Sequence, residues 1–164
     1  MQVESDRATD AVDDVSRALA LLVRGLKGLH AGVSTSIGLR VELPGLAVLT
    51  LLEEHGRLRA STLAELLQLD LSSVSRQVGA LEREGWVVRE RDPADARAQL
   101  LQVTAAGLDV VLRVRTARTA LLRELLPGWS AQELQSFAAA LRRFSRDIAP
   151  AVPVSPSPGR PEAP

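Results

Sequence analysis

Short hydroxyl side chains and arginines recur on one face of a helical segment that begins near residue 70. At about 100° per residue, that face carries Ser72, Ser75, Arg76 and Arg83, with Ser73 and Gln77 on its flanks. Small hydroxyl side chains let a helix sink into a groove of duplex DNA, and arginine donates paired hydrogen bonds to guanine or clamps a phosphate. The chemistry offered is therefore hydrogen bonding to nucleic acid. An ordinary amphipathic helix with a small-residue solvent face fits the same pattern.

The opposite face of this helix is apolar. The residues predicted to share it are Leu71, Val74, Val78 and Leu81. The helix start is predicted within residues 70–73, because Asp70 and the serines that follow are favourable N-cap residues. Gly85 is a typical C′ residue, so the helix should end just before it.

A shorter helix is predicted immediately before it, over residues 60–67. Its predicted inward-facing residues are Leu63, Leu66 and Leu67, around the small Ala64. Thr62 and Glu65 have the spacing of a capping box. Two short helices joined by a tight turn form a helix-turn-helix, the arrangement in which the second helix enters the major groove.

A β-hairpin is predicted after the two helices. Its strands, Trp86–Arg91 and Gln99–Val103, flank a turn-rich segment that contains Asp-Pro. Two such strands cannot form a domain alone, so they must pack on the helices as a wing. Asp95 and Arg97 are two residues apart and should project to the same side. We therefore expect the Asp95 carboxylate to hold the Arg97 guanidinium towards a minor groove; the alternative is a solvated hairpin with an exposed ion pair.

The order of these motifs resembles the MarR family of winged helix-turn-helix transcriptional regulators. The motifs are Leu63-Ala64, Asp70-x-Ser72-x-Val74-x-Arg76, Leu81-Glu82-x-x-Gly85, Asp92-Pro93-x-Asp95-x-Arg97 and Val103-Thr104-x-x-Gly107, and the match runs over about residues 46–107. The resemblance implies a mainly α fold with a small β-wing, flanked by N- and C-terminal dimerisation helices. It places Ser72, Ser73, Ser75 and Arg76 in the major groove, and Arg97 in the minor groove with Asp95 supporting it.

The chain departs from the family pattern at three positions. Ala96 replaces a second basic residue of the wing, Gln68 stands at a turn position that is often glycine, and Arg59 stands where a hydroxyl cap is common. These departures affect affinity and operator preference more than the fold.

Charge must be spatially sorted for this segment to bind DNA. The formal net charge of the chain is +0, and residues 57–97 contain equal numbers of basic and acidic residues. The hypothesis requires arginines to face the DNA and acidic side chains to face away. The arginines expected to face it are Arg76, Arg83, Arg89, Arg91 and Arg97. A winged-helix protein-interaction module that has lost DNA binding is the alternative function, and the neutral charge favours it slightly.

The remaining segments are predicted to be helices for dimerisation and a disordered terminus at each end. The predicted organisation is a disordered N-terminus (1–9), a dimerisation helix and linker (10–43), the winged helix-turn-helix (44–104), C-terminal dimerisation helices (105–149) and a disordered proline-rich tail (150–164). In the last helix Phe137, Leu141, Phe144 and Ile148 follow a near-heptad spacing. A homodimer interface explains these long apolar faces; an intramolecular bundle is the alternative.

Other chemistry has little support in the sequence. The chain has no cysteine and two distant histidines, so we expect no metal site, no cofactor and no enzyme activity. No run of residues is apolar enough for a membrane helix, which favours the cytoplasm. The resemblance implies a small aromatic or phenolic effector, for which His30, Arg40 and Trp86 are candidate lining residues. The predicted function is a homodimeric transcriptional regulator, a repressor, of a pseudo-palindromic double-stranded DNA operator.

Overall fold

Six helices and a small antiparallel sheet make up the part of the chain that the computed structural model describes, residues 2–39, 41–93 and 95–148. The elements are α1 (Gln2–Ile37), α2 (Leu43–His55), β1 (Leu58–Arg59), α3 (Ala60–Leu67), α4 (Leu71–Arg83), β2 (Val87–Asp92), β3 (Asp95–Val103), α5 (Ala105–Leu125) and α6 (Ala131–Ile148). The predicted fold class, mainly α with a small β-wing, is confirmed.

The core is built almost entirely from leucine and valine. Its most deeply buried side chains, each under 2% exposed, are Val48, Leu49, Leu52, Leu63, Val74, Val78, Val87 and Leu101. They come from α2, α3, α4 and the sheet, and the first half of α5 joins them through Val110, Val111 and Val114. Apolar burial on this scale is the main favourable term in folding, so α4 and the sheet are held on one packed body.

The two helices of the helix-turn-helix lie where the sequence predicts them. α3 covers residues 60–67 as expected, and the turn after it is tight because Gln68 adopts φ 52°, ψ 42°. This left-handed conformation favours glycine, which accounts for the family's preference at that position. The Thr62–Glu65 capping box is wrong, since Arg59 precedes the helix without a side-chain cap.

Two leucines predicted to face inward are exposed. Leu66 on α3 is 49% exposed and Leu71 at the start of α4 is 51% exposed, whereas Leu63 and Val74 are fully buried. The physical reason is that each lies at the edge of its helix's apolar face. A helix of two or three turns buries only the centre of that face against its neighbours.

The sheet has the strand order β1-β3-β2, with both pairings antiparallel. β2 and β3 stay in register from the pair Val87 and Val103 to the pair Arg91 and Gln99. The register then shifts, and Asp92 lies opposite Asp95. Residues 96–98 are therefore extra residues on β3. The predicted turn over 92–98 is too long, because β3 begins at Asp95.

The first helix is longer than predicted. α1 begins at Gln2, so the prediction of a disordered segment over residues 1–9 is wrong for the part that the structure describes. No glycine or proline interrupts residues 2–9, which favours a continuous helix. The C-terminal end of α1 is fixed to α5, since the Arg113 Nη2 atom donates to the Ile37 carbonyl at 2.6 Å.

Both C-terminal helices lie within residues 105–149, the range predicted for them. Thr104 caps α5 by accepting the backbone N–H of Gly107 at 3.1 Å. Ser130 and Glu133 form a reciprocal capping box at the start of α6. No residue of α6 is buried. The predicted tail, residues 150–164, lies outside the described residues, and none of the described helices is long and apolar enough to cross a membrane.

Candidate nucleic-acid interface

The N-terminus of α4 is organised by one carboxylate. Asp70 accepts the backbone N–H of Ser73 at 2.8 Å and the Ser73 hydroxyl at 2.7 Å. It also accepts the hydroxyl of Ser72. These hydrogen bonds, that of Ser72 foremost, hold the pKa of Asp70 well below its usual range. The helix start within residues 70–73 is confirmed. Both serines are held by Asp70, Ser72 on the exposed surface and Ser73 half-buried.

Arg76 follows one turn later on the same face. Its side chain is exposed, and the Nη2 atom donates to the Ser73 Oγ atom at 3.0 Å. Ser75 and Arg83 are also exposed. The polar face predicted for this helix is therefore open to solvent, and a hydroxyl network leads from Asp70 through Ser73 to the Arg76 guanidinium.

Gln77 differs from the other candidates because it points towards α2. Its Oε1 atom lies 3.5 Å from the position that a Cβ atom on Gly45 would occupy. The side chain is half-buried. Gln77 therefore lies against Gly45 of α2 and contributes to packing between these helices.

Arg89 ties the wing to α4. Its Nε atom donates to Glu82 Oε1 at 2.8 Å, and its Nη1 atom donates to Gln99 Oε1 at 3.4 Å. The predicted sorting of charge, with arginines on one side and acidic residues on the other, is wrong for this pair. An arginine on β2 and a glutamate on α4 are direct partners, because the two elements lie side by side.

A cleft of about 610 Å³ separates the start of α3 and α4 from the wing. The cleft is lined by Arg59, Ala60, Ser61, Leu71, Arg89, Arg91, Arg97, Ala98, Gln99 and Leu101. Four of these residues are arginines, and no acidic residue is among them. The wing arginines expected from the sequence, Arg89, Arg91 and Arg97, thus meet around one concave basic surface at the N-terminus of α4.

Asp95 does not hold the Arg97 guanidinium as the sequence predicts. Its Oδ1 atom accepts the backbone N–H of Arg97 at 3.1 Å, and its Oδ2 atom lies 3.6 Å from Arg59 Nη2. The side chain of Arg97 is exposed and makes no ion pair with any residue in the described ranges. The prediction is wrong because the Asp95 carboxylate lies beside the Arg59 guanidinium of β1 and not beside the Arg97 guanidinium.

Arg59 is the residue that sequence reasoning missed. Its Nε atom donates to Asp92 Oδ2 at 3.0 Å, and Asp92 is only 8% exposed. The signal was present in the sequence: an arginine stands at a position where a hydroxyl cap is common. Its partners could not be found, because Arg59 and Asp92 are distant in sequence and meet only through the sheet order β1-β3-β2.

Neither His30 nor Trp86 lines the two cavities described in this part of the chain. The His30 Nε2 atom lies 2.7 Å from the Val41 carbonyl oxygen, and Trp86 is half-buried against the core. Arg40 lies outside the described residues. A cavity of about 80 Å³ between α2 and α5 is lined by Leu46, Thr50, Val111, Val114, Arg115 and Arg118. The described residues also contain no group of three potential metal ligands.

The amino-acid sequence is similar to a known protein family and to individual transcriptional regulators. The model of the MarR family matches residues 41–98. The chain is 35% identical over 95 residues to the uncharacterised HTH-type transcriptional regulator YxaD of Bacillus subtilis (strain 168), a match that covers 58% of this chain and 66% of that protein. It is 32% identical over 108 residues to the HTH-type transcriptional regulator MT0903.1 of Mycobacterium tuberculosis (strain CDC 1551 / Oshkosh), covering 66% of this chain and 67% of that protein.

A solved structure extends the similarity beyond the matched segment. The fold superposes on a MarR family protein from Bacillus stearothermophilus with a TM-score of 0.73. That match has 23% sequence identity and covers 84% of this chain and 95% of the other. At 23% identity the match supports the fold alone. Because it covers 84% of this chain, the matched region extends into the long helices on both sides of the winged domain.

Proposed function

The chain belongs to the MarR family of winged helix-turn-helix transcriptional regulators, and we propose that it is a homodimeric repressor of a pseudo-palindromic DNA operator. Members of this family are non-enzymatic DNA-binding proteins. The observation that carries the proposal is the exposed polar face of α4 beside the basic cleft. Ser75 and Arg76 face solvent there, and the wing arginines line the cleft next to them.

Each part of this surface suits a different part of duplex DNA. α4 has small hydroxyl side chains on its first turns, which allow close approach to base edges in the major groove. The guanidinium of Arg97 on the wing, which is exposed and has no ion pair among the described residues, suits the negative potential of a minor groove. In the cleft between them, Arg91 and Arg97 make no ion pair with another described residue, so their charge is available to the phosphate backbone that separates the two grooves.

The homodimer is proposed from apolar surface that one chain leaves uncovered. On α6, Leu134, Phe137, Leu141 and Ile148 are each about 40% exposed. On α1, Val12, Val15 and Leu22 are also exposed. Exposed apolar stripes on two long helices are typical of an interface between subunits. A monomeric bundle would bury the α6 stripe within the chain.

A small-molecule effector is part of the proposed function, and the family resemblance supports it. Such a ligand would act by favouring one separation of the two recognition helices, because only one separation matches half-sites a helical turn apart. His30, Arg40 and Trp86 remain the candidate lining residues. The proposed location is the cytoplasm, because a regulator of transcription acts on the chromosome.

Selection from a random duplex library, followed by rebinding of the enriched sequences at two salt concentrations, tests the function. We expect a palindrome with half-sites about ten base pairs apart. Affinity should fall steeply with salt, because each phosphate contact releases counterions. A well-folded dimer that enriches no sequence would contradict the proposal.

The alternative is a winged-helix interaction module for another protein. It is favoured by the ion pairs that neutralise arginines of the winged domain, Arg89 with Glu82 and Arg59 with Asp92. The same selection separates the two functions. An interaction module would bind all duplexes weakly and without a preferred sequence.

A further inference from the structure

The ends of all three strands meet at one ionic cluster, formed by Arg59, Asp92 and Asp95. Arg59 is the last residue of β1, Asp92 the last of β2 and Asp95 the first of β3. The Arg59 Nε atom donates to Asp92 at 3.0 Å, and its Nη2 atom lies 3.6 Å from Asp95. We propose that Arg59 is a positioning residue for DNA binding: by holding both carboxylates it fixes the wing tip and so sets where Arg97 enters the groove.

The wing tip needs such a support because the main chain gives it little. β1 pairs with β3 only at Leu58 with Leu101 and Arg59 with Leu100. Beyond that point the tip is a two-stranded hairpin, and such a hairpin is marginally stable in water. The register shift after Arg91 weakens its ladder further. A side chain that reaches from β1 to the tip therefore supplies a cross-link that the sheet lacks.

Asp95 transmits this position to Arg97. One oxygen of its carboxylate faces Arg59, and the other accepts the backbone N–H of Arg97 at 3.1 Å. The Arg97 side chain itself is exposed. Arg59 thus acts on the main chain at Arg97 and leaves the Arg97 guanidinium available for DNA. The inference rests on the proposed function, since it assumes that Arg97 contacts DNA.

Direct contact between Arg59 and a phosphate is the competing explanation, because Arg59 also lines the basic cleft. Its partners argue against that role. Two carboxylates face one guanidinium, and the donors of Arg59 are already directed at Asp92 and Asp95. The positive charge is largely neutralised within the protein, so little of it remains for the DNA backbone.

A double-mutant cycle in the full-length protein tests the inference, with the duplex obtained by selection as the probe. We expect Arg59→Met to raise the Kd for this duplex about tenfold. This is part of the loss of affinity expected when the Arg97 side chain itself is removed. The same substitution should have no further effect in an Arg97→Ala background, because its influence passes through Arg97. The dependence of log Kd on log salt should keep its slope.

Three outcomes would overturn the inference. Equal losses in both backgrounds would mean that Arg59 acts independently of Arg97. A slope reduced by about 0.9, the value for one phosphate contact, would mean that Arg59 binds the backbone directly. An unchanged Kd would mean that the cluster does not position the wing. Failure of the wild type to select any duplex would instead overturn the proposed function.

Arg57→Met is the matched control. Arg57 also cross-links the sheet, to Glu90 at 3.1 Å and to Gln102 at 2.9 Å, and its side chain is 52% exposed against 42% for Arg59. It does not reach the wing tip, so its loss should leave Kd unchanged. If Arg59→Met unfolds, Asp95→Asn keeps the inference testable. The amide oxygen still accepts the Arg97 N–H, and the lost pair with Arg59 should still weaken binding.

Discussion

Asp95 accepts the backbone N–H of Arg97 at 3.1 Å, so the two residues are joined through the main chain and not through the guanidinium. This relationship fixes the base of the Arg97 side chain and leaves its charged end in solvent. A minor groove can then receive the guanidinium without first breaking an ion pair.

Arg97→Ala should weaken operator binding by about 1–3 kcal/mol, the range for one side chain that reads a groove. Binding isotherms on the selected duplex measure this loss. Arg142→Ala is a control with the same change in charge, because Arg142 is an exposed residue of α6, far along the chain from the winged domain. Equal effects of the two substitutions would show that net charge, and not the wing, determines affinity.

Arg76→Ala should abolish specific binding while the protein stays folded. Arg76 is exposed on α4, and within the described part of the chain its side chain hydrogen-bonds only to the Ser73 hydroxyl, so its removal leaves the core intact. Competition between the selected duplex and a scrambled duplex measures specificity, and thermal unfolding measures the fold. Retained preference for the selected duplex would contradict the assignment of α4 as the recognition helix.

Asp70 should make the stability of the protein sensitive to acid. Its pKa is lowered in the folded state by hydrogen bonds from Ser72 and Ser73. The stabilisation of the fold by the ionised Asp70 carboxylate is therefore complete above the pKa of the unfolded state, about 3.9. This stabilisation is lost as the pH falls through the lower pKa of the folded state. Asp70→Asn keeps a capping side chain without a titrating group. We therefore expect a smaller fall in Tm between pH 7 and pH 3 for this variant than for the wild type.

An equal fall in Tm for Asp70→Asn and for the wild type would contradict this account. Thermal unfolding followed by circular dichroism at both pH values makes the comparison. Glu133 also has a lowered pKa, from its hydrogen bonds with Ser130, and contributes in the same direction. It is unchanged in the variant, so it cancels in the difference between the two proteins.

Leu141→Glu should convert the dimer to monomers, because it places a charge in the apolar stripe of α6. Gln135→Glu adds the same charge to the polar face of that helix and should leave the dimer intact. Sedimentation or light scattering at several concentrations distinguishes the two species. A Leu141→Glu protein that remains dimeric would contradict the proposed interface.

Gly107→Ala should destabilise the fold by about 1–3 kcal/mol, the usual range for overpacking. A Cβ atom on Gly107 would lie 2.3 Å from the Trp86 carbonyl oxygen, which is a backbone atom and cannot yield easily. Gly28→Ala on α1 is the matched control, since nothing lies within 4 Å of the added atom. Denaturant unfolding should show a loss for the first variant and none for the second. Similar values for both would contradict the close contact of α5 with the wing.

Local patterns predicted most of the helices, and pairing across the sheet was the part they missed. The N-cap at Asp70 and the bounds of α3 each depend on a few neighbouring residues. The partners of Arg59 and Arg89 depend on which strands and helices lie side by side. No periodicity in one sequence carries that information, so the ionic cluster at the wing tip became visible only with the structure.

The spacing of half-sites tests the central claim, a dimer with two recognition helices, most directly. The measurement compares Kd for the selected operator with Kd for the same operator carrying five extra base pairs at its centre. The insertion places the half-sites on opposite faces of the duplex, so we predict that specific affinity falls to the level of a scrambled duplex. Unchanged affinity for the altered operator would contradict simultaneous binding by two linked recognition helices.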